Sequence, residues 1–401
     1  MASTFNSRTS IYLKMYKKII FIICLILITG FITYNFLNKN SKDEKVTIQF
    51  ASWGSESEVN ILKPLLADFE KQNPEIKVDF MHIPQNYFQK IHLLYASNTA
   101  PDVIFINNQY LPIYANAGVL ENLSEYQNEF EFEKFYPTAL ATMDWKASVY
   151  AVPRDISNLV IFYNRDLFKK YGVPLPHAGW TFEEFLDTAK KITHRPDVFG
   201  ISFDEEPLFY LPYLTSEGFG DIPYHESVKN NPGLQFYADL RNKYHVAPTK
   251  DETASATSAQ LFLQNRMGML LSGRWLVPKF RQEAKFDWDV IEFPAGSAGS
   301  IVPMDSSGWA ISKSSKHKPQ AIKLVKYLSS EECSKKFAKS GLIVPARVDS
   351  ANSEFFLDNQ KPKNAKVFLS VIKTSQPTKV NVNYREVLDE LKTKNEALFN
   401  K

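Results

Sequence analysis

The segment VTIQFAS, residues 46–52, is a short β-branched and apolar run, and the residues that follow it decide the fold. Ile61, Leu62, Leu65, Leu66 and Phe69 recur at helical spacing, and Asn73-Pro74 stops that helix because the residue before a proline disfavours helical geometry. Strand signals return at Ile76–Phe80 and Val103–Ile106. A strand, a helix and further strands in this order predict a β-α-β opening and a largely parallel sheet. Further along, Thr181 and Glu184 form a capping box ahead of Phe185, Ala189 and Ile192. Pro319 opens a helix with Ala321, Leu324, Val325 and Leu328 on one face, and Tyr384, Val387, Leu388, Leu391 and Leu398 mark an amphipathic C-terminal stretch. The fold class is α/β almost throughout, with no internal repeat.

The chain has 401 residues, 44% apolar and 23% charged, which suffices for two domains with real cores. Net charge is only +3, with Lys/Arg interspersed among Asp/Glu, so no basic face for nucleic acid stands out. The N-terminus differs. Residues 19–37, IIFIICLILITGFITYNFL, carry no charge and follow Lys14, Lys17 and Lys18. As a helix the run would reach about 28 Å, close to a hydrocarbon core of roughly 30 Å. The lysines would stay inside, which predicts a cytoplasmic segment 1–18, a span at 19–37, a polar spacer at 38–45 and everything beyond outside the membrane. A cleaved export signal and an uncleaved anchor both fit. The lack of a small-x-small cleavage site, and Cys24 lying within the apolar run, favour the anchor. Met15 could equally be the start. Beyond Cys24 there is one cysteine, Cys333, read as inert core, so an internal disulfide in the outer region is excluded.

Residues that would carry chemistry are sparse. The seven histidines are scattered, without H-E-x-x-H or a Cys/His cluster, so neither a metal nor a cofactor is expected. No nucleophile elbow, P-loop or dinucleotide fingerprint occurs; GSAGS at 296–300 reads as a crossover or surface loop. Asp204, Glu205 and Glu206 could in principle serve a glycosidase, but adjacent acids ordinarily form a solvated turn, and no catalytic residue is assigned.

Several segments, taken in order, resemble the family 1 extracellular solute-binding proteins, the sugar-type receptors of ABC importers. They are FEKQNPEIKV (69–78), APDVIF (100–105), YAVPRDISNLVIFYNRDLF (150–168), WTFEEFLDTAKKIT (180–193), FLQNRMGMLLSGRW (262–275) and SSGWAISKSSKHKPQAIKLVKYLSS (306–330). The resemblance covers nearly everything after Lys45. It implies a two-lobed periplasmic-binding-protein-like fold with hinge crossovers, near Val152–Ser157, Phe293–Gly296 and Leu342–Arg347, and a ligand cleft between lobes. Lobe 1 would comprise 46–153 and 297–344, and lobe 2 would comprise 154–296 and 345–401. It also implies no catalysis: a monomeric receptor tethered at the cell membrane would capture a saccharide, expected to be an oligosaccharide, by lobe closure and deliver it to ABC permease subunits. A receptor for a non-sugar or anionic ligand, and a membrane-tethered sensor, remain as alternatives. One departure is that a single clear amphipathic stretch closes the chain where family members often have two or more helices.

Candidate ligand contacts follow from that placement. Sugars offer C–H faces and hydroxyl edges, so flat rings with flanking polar groups suit them. By resemblance Trp275, in SGRW, matches the second-lobe aromatic platform, and Trp309, behind Ser306 and Ser307, matches a ligand-facing aromatic of the first lobe. Trp53 after the first strand is a third candidate, with core packing as its alternative. Asn107, Asn108 and Gln109 lie just past a strand, where open α/β sheets bind ligands, and amides both donate and accept. Asp155 and Asp305 would accept from hydroxyls, with Ser307 beside them. Asp102 reads as structural, capping the turn at Pro101. Arg154, Arg274 and Arg347 are either salt-bridged or ligand-facing; two of them in the cleft would point to an anionic glycan.

Overall fold

A computed structural model describes residues 5–40, 45–219 and 231–400, with side chains placed for 15–33 and from Lys45 onward within those ranges. An N-terminal helix, Phe5–Asn40, contains an apolar stretch, Met15–Thr33, long enough to cross a membrane and buried against nothing else. Of the spacer expected at 38–45, residues 38–40 continue this helix, and 41–44 lie outside the described residues, as do 1–4.

Two sheets organise the rest. β1 (Val46–Ser52) pairs in parallel with β2 (Ile76–His82) and with β3 (Val103–Asn107). A two-residue-stranded hairpin, β4 (Asp144–Trp145) and β5 (Ser148–Val149), precedes β6 (Val152–Ser157). The smaller sheet holds β7 (Val160–Asn164), β8 (Phe199–Ile201), β9 (Met267–Ser272) and β10 (Trp288–Ile291) in the order β10-β7-β9-β8. The chain then returns to the larger sheet through β11 (Pro303–Ile311), β12 (Val344–Pro345) and β13 (Gln376–Pro377), giving the order β12-β6-β11-β3-β1-β2 with β13 on β11.

The expectation of a largely parallel sheet holds for β1 with β2 and β3, and parallel pairing recurs in β13 on β11 and β8 on β9, but the centre of the larger sheet is mixed. β11 runs antiparallel to β3 and β6, and β12 antiparallel to β6. The cause is topological: the chain leaves the larger sheet at the end of β6 and re-enters at the same edge, so the returning strand must run the opposite way. The sheet change itself falls between Ser157 and Val160, because Val152–Ser157 is still a strand of the larger sheet, in register with β11 through Asp305 and Trp309. The return falls between Ile291 and Pro303.

Both faces of the smaller sheet are covered. Along its leading strand Val160 and Phe162 enter the core shared with the larger sheet, while Leu159, Ile161 and Tyr163 enter a second core with the C-terminal helix, Tyr384–Phe399. Successive side chains point to opposite faces, so a strand buried on both reads as one continuous apolar run. The capping box on Phe182–Ile192 is present, with both reciprocal bonds between Thr181 and Glu184.

Candidate functional site

Strand ends converge where the sheets meet. β3 and β11 bring Asn107 opposite Ser307, and β6 and β11 bring Ser157 opposite Asp305. β1 is parallel to β3, so Trp53 emerges at the same edge. In the smaller sheet Val160, the first residue after the crossover, pairs with Ser272, which brings the Gly273–Trp275 turn to the edge facing the larger sheet.

Two tryptophans from the sequence reading are open here. Trp53 is 38% exposed, its ring stacked on Phe105 at 5.5 Å and edged by Phe88 and Tyr87. Trp275 is 37% exposed and its ring lies across Gly273, where an added Cβ would come within 1.9 Å of it, so glycine is needed for the ring to lie down. Trp309 is a correction: it is 0% exposed, set edge-on against Phe50 (5.3 Å) and Phe105 (5.7 Å) with Arg154 at 5.3 Å, and so cannot face a ligand. Its strand position turns the ring into the core. Gly308 before it serves the backbone: a Cβ there would meet the Val152 carbonyl at 2.1 Å, at the point where β6 and β11 slip register.

The polar candidates fall into two groups. Asp155 and Ser307 are buried and spent on each other, Ser307 Oγ donating to both carboxylate oxygens at 2.7 Å. Asp155 also takes the Arg154 guanidinium at 2.7 Å, and Arg154 pairs on its other side with Glu58. Burial opposes the Arg154 charge, but Glu58 and Asp155 together hold its pKa above the ordinary range. This is an internal brace between a helix and two strands, and removes Asp155, Ser307 and Arg154 from direct ligand contact. Asp305 accepts from Asn108 Nδ2 at 2.9 Å and Gln109 Nε2 at 2.8 Å, and stays half-buried at the edge, as do Gln109 and Asn107. Asn108 is fully buried, its Oδ1 accepting from the Ser306 backbone. Arg347 is a second correction: buried, it forks onto Asp349 and reaches Glu131, so its charge is used within the fold. Arg274 is buried beside Trp275 rather than open to the edge. Asp102 is structural as read, accepting from the Gln49 amide and the Ser315 hydroxyl.

The match to the model of bacterial extracellular solute-binding proteins runs from residue 53 to 332, most of the chain. The chain belongs to that family. It is 25% identical over 344 residues to the multiple sugar-binding protein of Streptococcus mutans, covering 74% of each chain. It is 23% identical over 360 residues to the galactooligosaccharide-binding protein of Bacillus subtilis, covering 85% of this chain and 82% of that one. Among solved structures, an ABC substrate-binding protein from Listeria monocytogenes in complex with cycloalternan superposes with a TM-score of 0.81 at 25% identity, over 89% of this chain and 94% of that one. The fold is therefore the two-lobed α/β architecture of these receptors, and the family is one of sugar-binding components of ABC importers, extracellular and not enzymes.

Within this solute-binding fold the sequence reading passed over several residues. Glu58 was legible, being an acid in helical register with Leu62, Leu65 and Phe69 on a buried face, a position that calls for a partner. Tyr110, stacked flat on Phe88 at 3.7 Å beside the Trp53 cluster, and Arg385, which reaches Gln109 from the C-terminal helix, left no sequence signal, since both matter only through tertiary contact. The acids at 204–206 are engaged: Glu205 with Arg241 and Lys250, Glu206 with Lys392, while burial raises the pKa of Asp204.

Proposed function

We propose that this receptor captures an oligosaccharide between its lobes and delivers it to an ABC permease, held at the cell surface by the N-terminal helix. The observation carrying this reading is the pair of half-exposed tryptophans, Trp53 and Trp275, one at the inter-lobe edge of each sheet. Only contacts made to both lobes at once favour a closed form, and an indole on each side supplies them to a pyranose chain. Asp305, Gln109 and Asn107 are the polar groups placed to order its hydroxyls. The sugar-binding names of the relatives and the bound cycloalternan of the Listeria structure support a carbohydrate ligand. The receptor works as a monomer, since a cleft bounded by both lobes of one chain needs no second copy. A thermal-shift screen of the full chain in detergent against neutral gluco-, galacto- and manno-oligosaccharides tests this, because a ligand of the native state raises its melting temperature. Saturable stabilisation lost in Trp275→Ala supports the reading; no response to any of these sugars overturns it.

A further inference from the structure

Directly behind the Trp275 surface lies a cation that makes no ion pair among the described residues. Arg274 is 2% exposed, with its guanidinium 3.9 Å from the Phe356 ring centre and 5.3 Å from that of Phe368. Among the described residues its Nε and Nη1 find no acceptor, and Nη2 reaches only the Phe356 carbonyl at 3.5 Å. A guanidinium offers five donors and does not lose its charge in proteins, so this one is under-satisfied in a place where that is costly.

The surrounding charge makes the deficit larger. Arg281 and Asp358 are the charged groups that bear on Arg274; burial first, and Arg281 second, pull its pKa down to about 9, against the opposing pull of Asp358. Asp358 already gives Oδ1 to Arg281 at 3.0 Å, and its Oδ2 has no donor. Two guanidiniums thus share one carboxylate, and the cluster carries one positive charge in excess. One monoanion with two acceptor oxygens would neutralise it, whereas a dianion would over-compensate in a site this dry. The partial stacking on Phe356 eases the charge but supplies no acceptor.

We propose that Arg274 forms a carboxylate-binding site behind the Trp275 platform, filled by the acid group of an acidic saccharide or by a small free carboxylate. The saccharide source rests on the sugar-receptor reading above; the site itself does not. Filling it requires Phe356, whose ring and carbonyl lie against the guanidinium, to yield, which lobe movement or ligand entry would provide.

The experiment compares wild-type full chain with Arg274→Met, which keeps an apolar stem against Phe356. Melting temperatures are read in sodium acetate, in sodium glucuronate and in glucose, all at ionic strength matched with sodium chloride. Wild type should be stabilised by acetate, by glucuronate, or by both, beyond the chloride control, and the effect should vanish in Arg274→Met. Acetate acting alone assigns the site to a free anion; glucuronate acting alone, with affinity about ten-fold or more above glucose, assigns it to the sugar acid. Without added carboxylate, Arg274→Met should melt no lower than wild type, because an unpaired buried charge is removed. No carboxylate effect on wild type overturns the proposal, whatever the variant does. So does a variant that melts much lower, or fails to fold, since Arg274 is then a packing residue. Neutral oligosaccharide binding with no carboxylate effect would defeat this proposal and leave the sugar reading standing; carboxylate stabilisation without any sugar binding would do the reverse.

Discussion

Arg385 Nη1 donates to Gln109 Oε1 at 3.1 Å, linking the C-terminal helix, whose Tyr384, Leu388 and Leu391 pack in the second core, to the turn after β3 at the edge of the first lobe. Gln109 passes the link to Asp305, which Asn108 also holds. A single such bond, partly exposed, contributes on the order of 1 kcal/mol, enough to bias a two-state lobe equilibrium several-fold without setting it. Arg385→Ala should therefore broaden the distribution of distances between spin labels placed on the two lobes, for instance at Lys63 and Lys190. An unchanged width would mean that the tie carries no restraint.

Trp275 and Trp309 separate by two measurements on the same variants. Trp309→Ala removes a fully buried ring and should cost about 3–5 kcal/mol of stability. Trp275→Ala should leave the melting temperature nearly unchanged, yet weaken saccharide binding by about 2 kcal/mol, some tens of times. Calorimetric titration and melting curves decide it. A Trp275→Ala protein that melts far lower but binds sugar normally would place Trp275 in the core.

Acid should weaken the Arg347–Asp349 pair in a definite direction. Burial works to raise the Asp349 pKa, but bonds from Arg347, at 3.1 and 2.8 Å, hold it below the ordinary 3.8. A depressed folded-state pKa stabilises above the unfolded value, and that stability is lost as pH falls through the folded one. In urea titrations wild type should exceed Asp349→Asn at pH 6, and the gap should close progressively below about pH 3.8. A gap constant from pH 6 to pH 2 would show that the pair contributes nothing ionic.

The N-terminal helix makes a prediction of its own. Beyond Lys17 and Lys18 its Met15–Thr33 stretch carries no charge, and among the described residues no other element covers it, so the full chain should fractionate with membranes and resist extraction by high salt. N-terminal sequencing of the membrane-bound form should begin at Met1 or Met15. A soluble mature form starting after about Leu37 would identify the segment as a cleaved signal instead.

The sequence by itself determined what depends on local pattern: the β-α-β opening, the capping box at Thr181 and the apolar N-terminal run. Each is set by which residues recur every second or every third to fourth position, and that spacing does not depend on distant parts of the chain. Tertiary structure decided the direction in which side chains point. SSGW reads equally well as a ligand edge or as a core strand; β11 pairing on both sides, with a register slip at Gly308, turns Trp309 inward and Asp305 outward. Asp155, Ser307 and Arg347 are ordinary surface-capable residues until Arg154, Glu58, Asp349 and Glu131, which lie up to 216 positions away in sequence, claim their charges and hydroxyls. Burial and pairing of that kind arise from where two lobes and three crossings between them place strand ends in space, and no spacing along the chain encodes it.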